Sequence, residues 1–131
     1  MTRINLIPVT ELADQHLIAE IRELPRVFTL AQNNDSTINI PDTFRMGKGH
    51  VLFFKDKLLF LFIRYLELYH EALLRGFNIS YSLDDIENKL YLCNPKLVNN
   101  WTPNDSDIAI SRQRINEKLK SNPSFYRWTK Y

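Results

Sequence analysis

The sequence predicts an all-α fold in one compact domain. Three observations carry this. Leu17, Ile21, Leu24 and Phe28 form an apolar stripe at helical spacing. A second, largely apolar stretch from Leu58 to Leu73 ends at Gly76. A third periodic segment sits between cap-forming residues at Asn104 to Ser106 and Pro123. Little of the chain reads as strand. A length of 131 residues fits a single domain spanning 1–131, and 44% hydrophobic residues supply a packed core and exclude disorder.

The spacing predicts three main helices. The first runs from about Glu11 to Gln32, with Thr10 as N-cap and Ala13 beside the core stripe. Pro25 lies inside it, removes one backbone donor and should kink the helix near the Ile21 carbonyl. A polar loop from Gln32 to Thr43 leads to a glycine-flanked turn, Gly47-Lys48-Gly49-His50. That turn lacks the length and the Lys-Ser/Thr pair of a phosphate-binding Walker loop. The second helix runs from about Lys55 to Arg75 and is apolar on most sides, as a central buried helix would be. Gly76 ends it as a left-handed cap, with Phe77 available for the accompanying contact. Asn78 to Pro103 reads as mostly irregular, with a short helix around Leu83 to Leu90. The third helix runs from about Asp107 to Ser121. Ile108, Ile115 and Leu119 face the core, and Arg114 and Lys118 share another face.

Net charge is only +2, but it is unevenly spread. Ser111 to Tyr131 holds six Lys or Arg and one acid, whereas Gly76 to Asp107 holds five acids and two Lys. A basic end interleaved with aromatics is the electrostatic footprint of a polyanion partner. Cys93 is the only cysteine, so no intrachain disulfide is expected, in keeping with a reducing compartment. His16, His50 and His70 match no metal-ligand spacing. The charged N-terminal stretch is not a signal peptide, and the uncharged run Leu58 to Ile63 is too short to span a membrane.

Two groups point to chemistry. A small residue after the initiator Met favours its removal, which would leave the α-amine of Thr2 free. Such an amine has a pKa of ~7.7–8.0, so a useful fraction is neutral and nucleophilic near neutrality. Amines of this kind attack carbon centres such as a sugar C1′ and form imines. The outer face of the first helix carries Gln15, Ala19, Arg22, Glu23 and Arg26. Arg22 and Arg26 repel at i, i+4 by roughly 0.2–0.5 kcal/mol, a cost that phosphate binding beside a proton-transferring Glu23 would explain. The plainer alternative is a solvated Glu23 paired with Arg26. His16 lies on the same side and is either a site residue or a structural one. The tail Phe125-Tyr126-Arg127-Trp128 either closes a small core or stacks on bases while its cations meet phosphates.

Thr2-Arg3-Ile4-Asn5-Leu6, Glu11-Leu12-Ala13-Asp14-Gln15-His16-Leu17 and Arg22-Glu23-Leu24-Pro25-Arg26-Val27-Phe28 resemble the pyrimidine-dimer DNA glycosylases. The likeness resumes at Gly49-His50-Val51, Phe53-Phe54, Asp56-Lys57-Leu58 and Arg75-Gly76-Phe77-Asn78-Ile79. It returns at Ile108-Ala109-Ile110-Ser111, Arg114 and Glu117-Lys118. The resemblance implies an all-α domain whose N-terminal segment threads between the first and third helices. It implies a bifunctional DNA glycosylase and abasic-site lyase acting on cis-syn cyclobutane pyrimidine dimers in double-stranded DNA. Thr2 would attack C1′ of the 5′ sugar, Glu23 would assist the imine, and β-elimination would cut the strand. Gln15, His16, Arg22 and Arg26 would hold the lesion and its phosphates. Arg3, Arg114 and Lys118 would lie on the DNA-facing surface, and Tyr126 and Arg127 belong to the tail expected to touch DNA. No metal or organic cofactor, membrane or protein partner is implied. A monomer is expected, cytoplasmic or nucleoid-associated, or nuclear if the source is a eukaryotic virus. The residues also leave open a different lesion, such as a ring-opened purine, and a non-catalytic DNA-binding relative.

The chain departs from the family type in three places. The loop Gln32 to Thr43 is shorter and lacks basic residues, the second helix has Phe60, Phe62 and Ile63 in place of charges, and the tail is shortened. Fewer phosphate contacts release fewer counterions. The slope of log affinity against log salt for undamaged duplex is therefore expected to be shallower than the family type's. An equally steep slope overturns this.

Overall fold

A computed structural model describes residues 3–131. Among them are six α-helices: α1 Asp14–Glu23, α2 Pro25–Asn33, α3 His50–Phe54, α4 Leu58–Leu74, α5 Leu83–Tyr91 and α6 Asp105–Ser121. Short 3-10 turns lie at Val9–Glu11 and Pro95–Leu97, and no strand occurs among the described residues. The all-α class is as expected. The count of three main helices is too low, because the first is divided and α3 is additional.

Proline explains the division. Pro25 occupies the first position of α2, where its missing N–H costs least. Leu24 keeps helical geometry, and its N–H still reaches the Glu20 carbonyl at 2.8 Å. Thr10 is not the cap of the first helix, since it belongs to the preceding 3-10 turn. Ala13 is the N-cap, and it offers no side-chain acceptor. The Asp14 N–H donates instead to the carbonyl of Arg127, from the far end of the chain, at 2.6 Å.

The later boundaries follow local signals. Gly76 has φ 87°, the Phe77 N–H donates to Ala72 O and the Gly76 N–H to Leu73 O, which is a complete Schellman cap. Ser82 with Asp85, and Asn104 with Asp107, form capping boxes for α5 and α6. The second helix begins at Leu58 rather than Lys55, because Lys55 to Lys57 turn the chain out of α3. It is also not buried on most sides. Leu58, Leu61, Tyr65 and Leu68 face the core, whereas Ile63, Leu66 and Leu73 are exposed. No helix among the described residues is long and apolar enough to cross a membrane.

α1 packs on α2 and α4, and α5 closes over α2 and α4. Residues Ile4 to Ile7 are buried. The Leu6 N–H donates to Ser111 Oγ on α6 at 2.9 Å, and Asn5 Nδ2 donates to Glu20 Oε1 on α1 at 2.8 Å. Arg64 of α4 donates through Nε to Glu20 Oε2 at 2.8 Å and through Nη1 to the Ile7 carbonyl at 2.7 Å. Glu20 is 1% and Arg64 6% exposed, so neither charge is solvated and each depends on the other.

Removing one partner should cost about 3–5 kcal/mol, because it leaves a buried charge unpaired. Glu20→Leu and Arg64→Met are each expected to show such a loss in urea unfolding. The double variant should lose clearly less than the sum of the two. Additive losses would mean that the pair is not coupled.

Candidate active site

The outer face of α1, the inner face of α6, the N-terminal segment and the C-terminal tail converge on one cleft of about 250 Å³. Arg3, His16, Glu23, Arg114, Lys118 and Tyr126 line it. Their convergence has simple causes. His16, Ala19 and Glu23 follow one another at i, i+3 and i+7 on α1, while Arg114 and Lys118 are i, i+4 on α6. The buried segment after Arg3 brings that residue to the same cleft.

Glu23 is half-buried and lines this cleft with Arg3, Arg114 and Lys118, whereas Glu20, the other carboxylate in the lining, is engaged by Arg64. Arg3 is less basic than a free arginine. Burial is the main cause and the neighbouring Arg114 adds to it, while Glu23 opposes both. Burial likewise lowers the His16 pKa, Lys118 reinforces the effect, and Glu20 counters it. The net effect favours the neutral ring. Its Nδ1 and the Nε of Arg114 are buried without a hydrogen-bond partner among the described residues. An unmet buried polar atom costs about 1–3 kcal/mol, and two such atoms bordering one cleft suit a site that receives a polar ligand. A ring of cations with too few carboxylates to neutralise it suits an anion.

Two further clefts extend the band. One of about 640 Å³ is bordered by Gln15, His16, Arg22, Tyr126 and Arg127. The next, of about 460 Å³, is bordered by Arg22, Arg26, Ile79, Tyr81 and Lys89. His16 and Tyr126 form the wall between the first two, and Arg22 separates the second from the third. Arg22 and Arg26 are exposed and do not share the Glu23 cleft, although Glu23 lies between them in sequence. Thr2 lies outside the described residues. Its neighbour Arg3 lines the Glu23 cleft.

The tail is docked on α1 rather than free. Gln15 Nε2 donates to the Phe125 carbonyl at 2.9 Å, and Gln15 Oε1 accepts the Arg127 N–H at 3.0 Å. His16 stacks on Tyr126 with centroids 4.6 Å apart. Trp128 Nε1 donates to the Glu11 carbonyl, and the Thr129 N–H donates to Asp14 Oδ1. Arg75 donates to Asp14 and Glu71, and Glu71 in turn accepts the Tyr131 hydroxyl. Asp14, Glu20 and Asn5 are residues that periodicity alone does not single out. The available signal was Glu20 itself, a carboxylate on the apolar stripe beside Leu17, Ile21 and Leu24.

A family model described as pyrimidine dimer DNA glycosylase matches residues 1–85. The match includes Arg3, Gln15, His16, Arg22, Glu23 and Arg26. Arg114, Lys118, Tyr126 and Arg127 lie beyond it.

Tail docking should depend on pH. Burial pushes the Asp14 carboxyl up, but bonds from Thr129 and Arg75 outweigh it and leave the pKa below the ordinary 3.8. A depressed carboxylate contributes stability above its unfolded pKa and loses it as pH falls through the folded one. The protection factor of the Thr129 amide against hydrogen exchange is expected to hold at neutral pH and to fall only below pH 3.8. Asp14→Asn should lower it wherever the parent's Asp14 is ionised. Equal protection in that variant would detach the tail from Asp14.

Proposed function

The chain belongs to the pyrimidine dimer DNA glycosylase family, and from that premise we propose that it is a bifunctional glycosylase and abasic-site lyase using the Thr2 α-amine. The observation that carries this reading is Glu23 in a cleft with Arg3, Arg114 and Lys118, reached by the segment that follows Thr2. The substrate is duplex DNA bearing a cis-syn cyclobutane pyrimidine dimer. The N-terminal segment passes between α1 and α6, a course supported by the Asn5–Glu20 and Leu6–Ser111 bonds.

With Met1 removed, the neutral Thr2 amine attacks C1′ of the 5′ nucleotide of the dimer. The N–C1′ bond forms as the glycosidic C1′–N bond breaks, and the base takes up a proton. The nitrogen loses a proton, and its lone pair then breaks the C1′–O4′ bond as O4′ takes up a proton, giving an open-chain cationic imine. Removal of a C2′ proton then expels the 3′ phosphate by β-elimination, and water hydrolyses the imine to free the amine. Glu23 carries protons on and off the sugar and stabilises the cationic imine. Arg3, Arg114 and Lys118 bind the flanking phosphates, and Arg22 and Arg26 extend the track along the strand. Gln15, His16, Tyr126 and Arg127 form the wall against which the lesion rests. No step calls for a metal or an organic cofactor. Damaged steps are more easily deformed than intact duplex, which favours the lesion during binding.

Borohydride trapping tests the whole reading, because it reduces an imine to a stable protein–DNA bond. Trapping is expected on irradiated and abasic duplexes but not on undamaged DNA, and it should vanish when the N-terminus is blocked. Glu23→Gln should lower strand cleavage by about 10²-fold or more, with duplex affinity little changed. Trapping on abasic DNA alone would indicate a different lesion. No trapping by protein with a free Thr2 would indicate a non-catalytic DNA binder.

A further inference from the structure

His50 is a buried histidine that the reaction scheme leaves unused. It is 2% exposed and opens α3 directly after Gly49, whose φ of 87° turns the chain into that helix. A Cβ at Gly49 would sit 3.1 Å from the Arg45 side chain, so both the turn and its tight approach call for glycine. The imidazole is bonded at both nitrogens. Nδ1 lies 2.8 Å from the Arg45 carbonyl, which can only accept, so Nδ1 carries the proton. Nε2 is then a lone-pair acceptor, and it takes the backbone N–H of Ile4 at 2.8 Å. Phe44 and Phe54 meet the ring at near-perpendicular angles and keep it from turning.

Ile4 is two residues from Thr2. Two residues span at most about 7 Å, so the anchor at Ile4 sets the radius within which the amine can be found. We propose that His50 is a positioning residue for the amine nucleophile: by accepting the Ile4 N–H it fixes the origin from which Thr2 reaches the sugar beside Glu23. The inference rests on the amine mechanism proposed above. Hydrogen bonding makes the anchor conditional on the charge of the ring. An imidazolium would present a second N–H to the Ile4 N–H, and the bond would be lost. Burial keeps the ring neutral, and Arg3 on the N-terminal segment acts in the same direction. The Arg45 carbonyl and Glu20 of α1 oppose them. The net shift is downward from 6.5, so the anchor holds at neutral pH and fails as pH falls through the lowered value.

The test uses full-length protein whose free Thr2 has been verified by mass. Single-turnover borohydride trapping on an abasic-site duplex is followed across pH. Affinity for a duplex with an uncleavable tetrahydrofuran site, and thermal melting, are measured alongside. His50→Leu removes the acceptor. His50→Gln places an amide oxygen that accepts the Ile4 N–H without titrating. His50→Leu is expected to trap about tenfold more slowly or worse, with duplex affinity within about twofold of the parent. His50→Gln should recover most of the rate and keep only the acid loss that protonation of the Thr2 amine imposes, without the parent's additional fall below the ordinary histidine range. Parental trapping by a folded His50→Leu would overturn the proposal. So would a His50→Gln that recovers nothing, since the ring would then act only by packing on Phe44 and Phe54. If His50→Leu does not fold, the acid limb of His50→Gln decides, and an unchanged limb overturns the proposal. Absence of trapping by the parent itself would instead remove the amine mechanism.

Discussion

The buried pair between Glu20 and Arg64 is the constraint on which the site depends. Two charges withdrawn from water must satisfy each other closely. Here they also reach outward, since Glu20 accepts from Asn5 and Arg64 donates to the Ile7 carbonyl. The N-terminal segment is thus fastened to α1 and α4 through the same four groups. An apolar core could hold helices together at many small offsets. Directional bonds to a backbone carbonyl and a side-chain amide specify one register for the segment. Arg3, just outside that network, reaches the Glu23 cleft as a consequence.

A second polar network acts at the other end of α1. Asp14 and Glu71 share Arg75, and the tail is added through Thr129 and Tyr131. This arrangement serves helix termination as well as the site. Ala13 cannot cap α1, so the Arg127 carbonyl takes the first N–H, and the docked tail brings Tyr126 onto His16. The two chain ends therefore meet at the Glu23 cleft, which Arg3 and Tyr126 both line. Docking also sets a condition on Gln15, whose amide bonds the tail on both sides. Any ligand that uses Gln15 must share it with Phe125 and Arg127, or displace them.

The legible parts of the fold were those governed by local geometry. Gly76 ends α4 because a left-handed residue is needed there, and Pro25 divides the first helix because it has no N–H to donate. The band of Gln15, His16 and Glu23 on one side of α1 follows from 3.6-residue spacing. Less legible was the separation of Glu23 from Arg22 and Arg26. One residue around a helix is a turn of about 100°, which sends Arg22 away from Glu23, and Arg26 lies beyond the break at Pro25. The true cap of α1 was illegible, since its acceptor lies more than a hundred residues away. α3 was hidden as well, because five residues are too few to show a period.

By itself, the sequence determined the helical class, the apolar stripe of α1, the caps of α4 and α6 and the family to which the chain belongs. All of these depend on residue type and short spacing. Only the tertiary structure decided that Arg3, Glu23, Arg114 and Lys118 share a cleft, that the tail lies on Asp14 and Gln15, and that His50 holds Ile4. Each of those depends on partners far apart in the chain. For Ile4 and His50 the pairing is settled by burial, because a donor withdrawn from water needs a partner inside the protein.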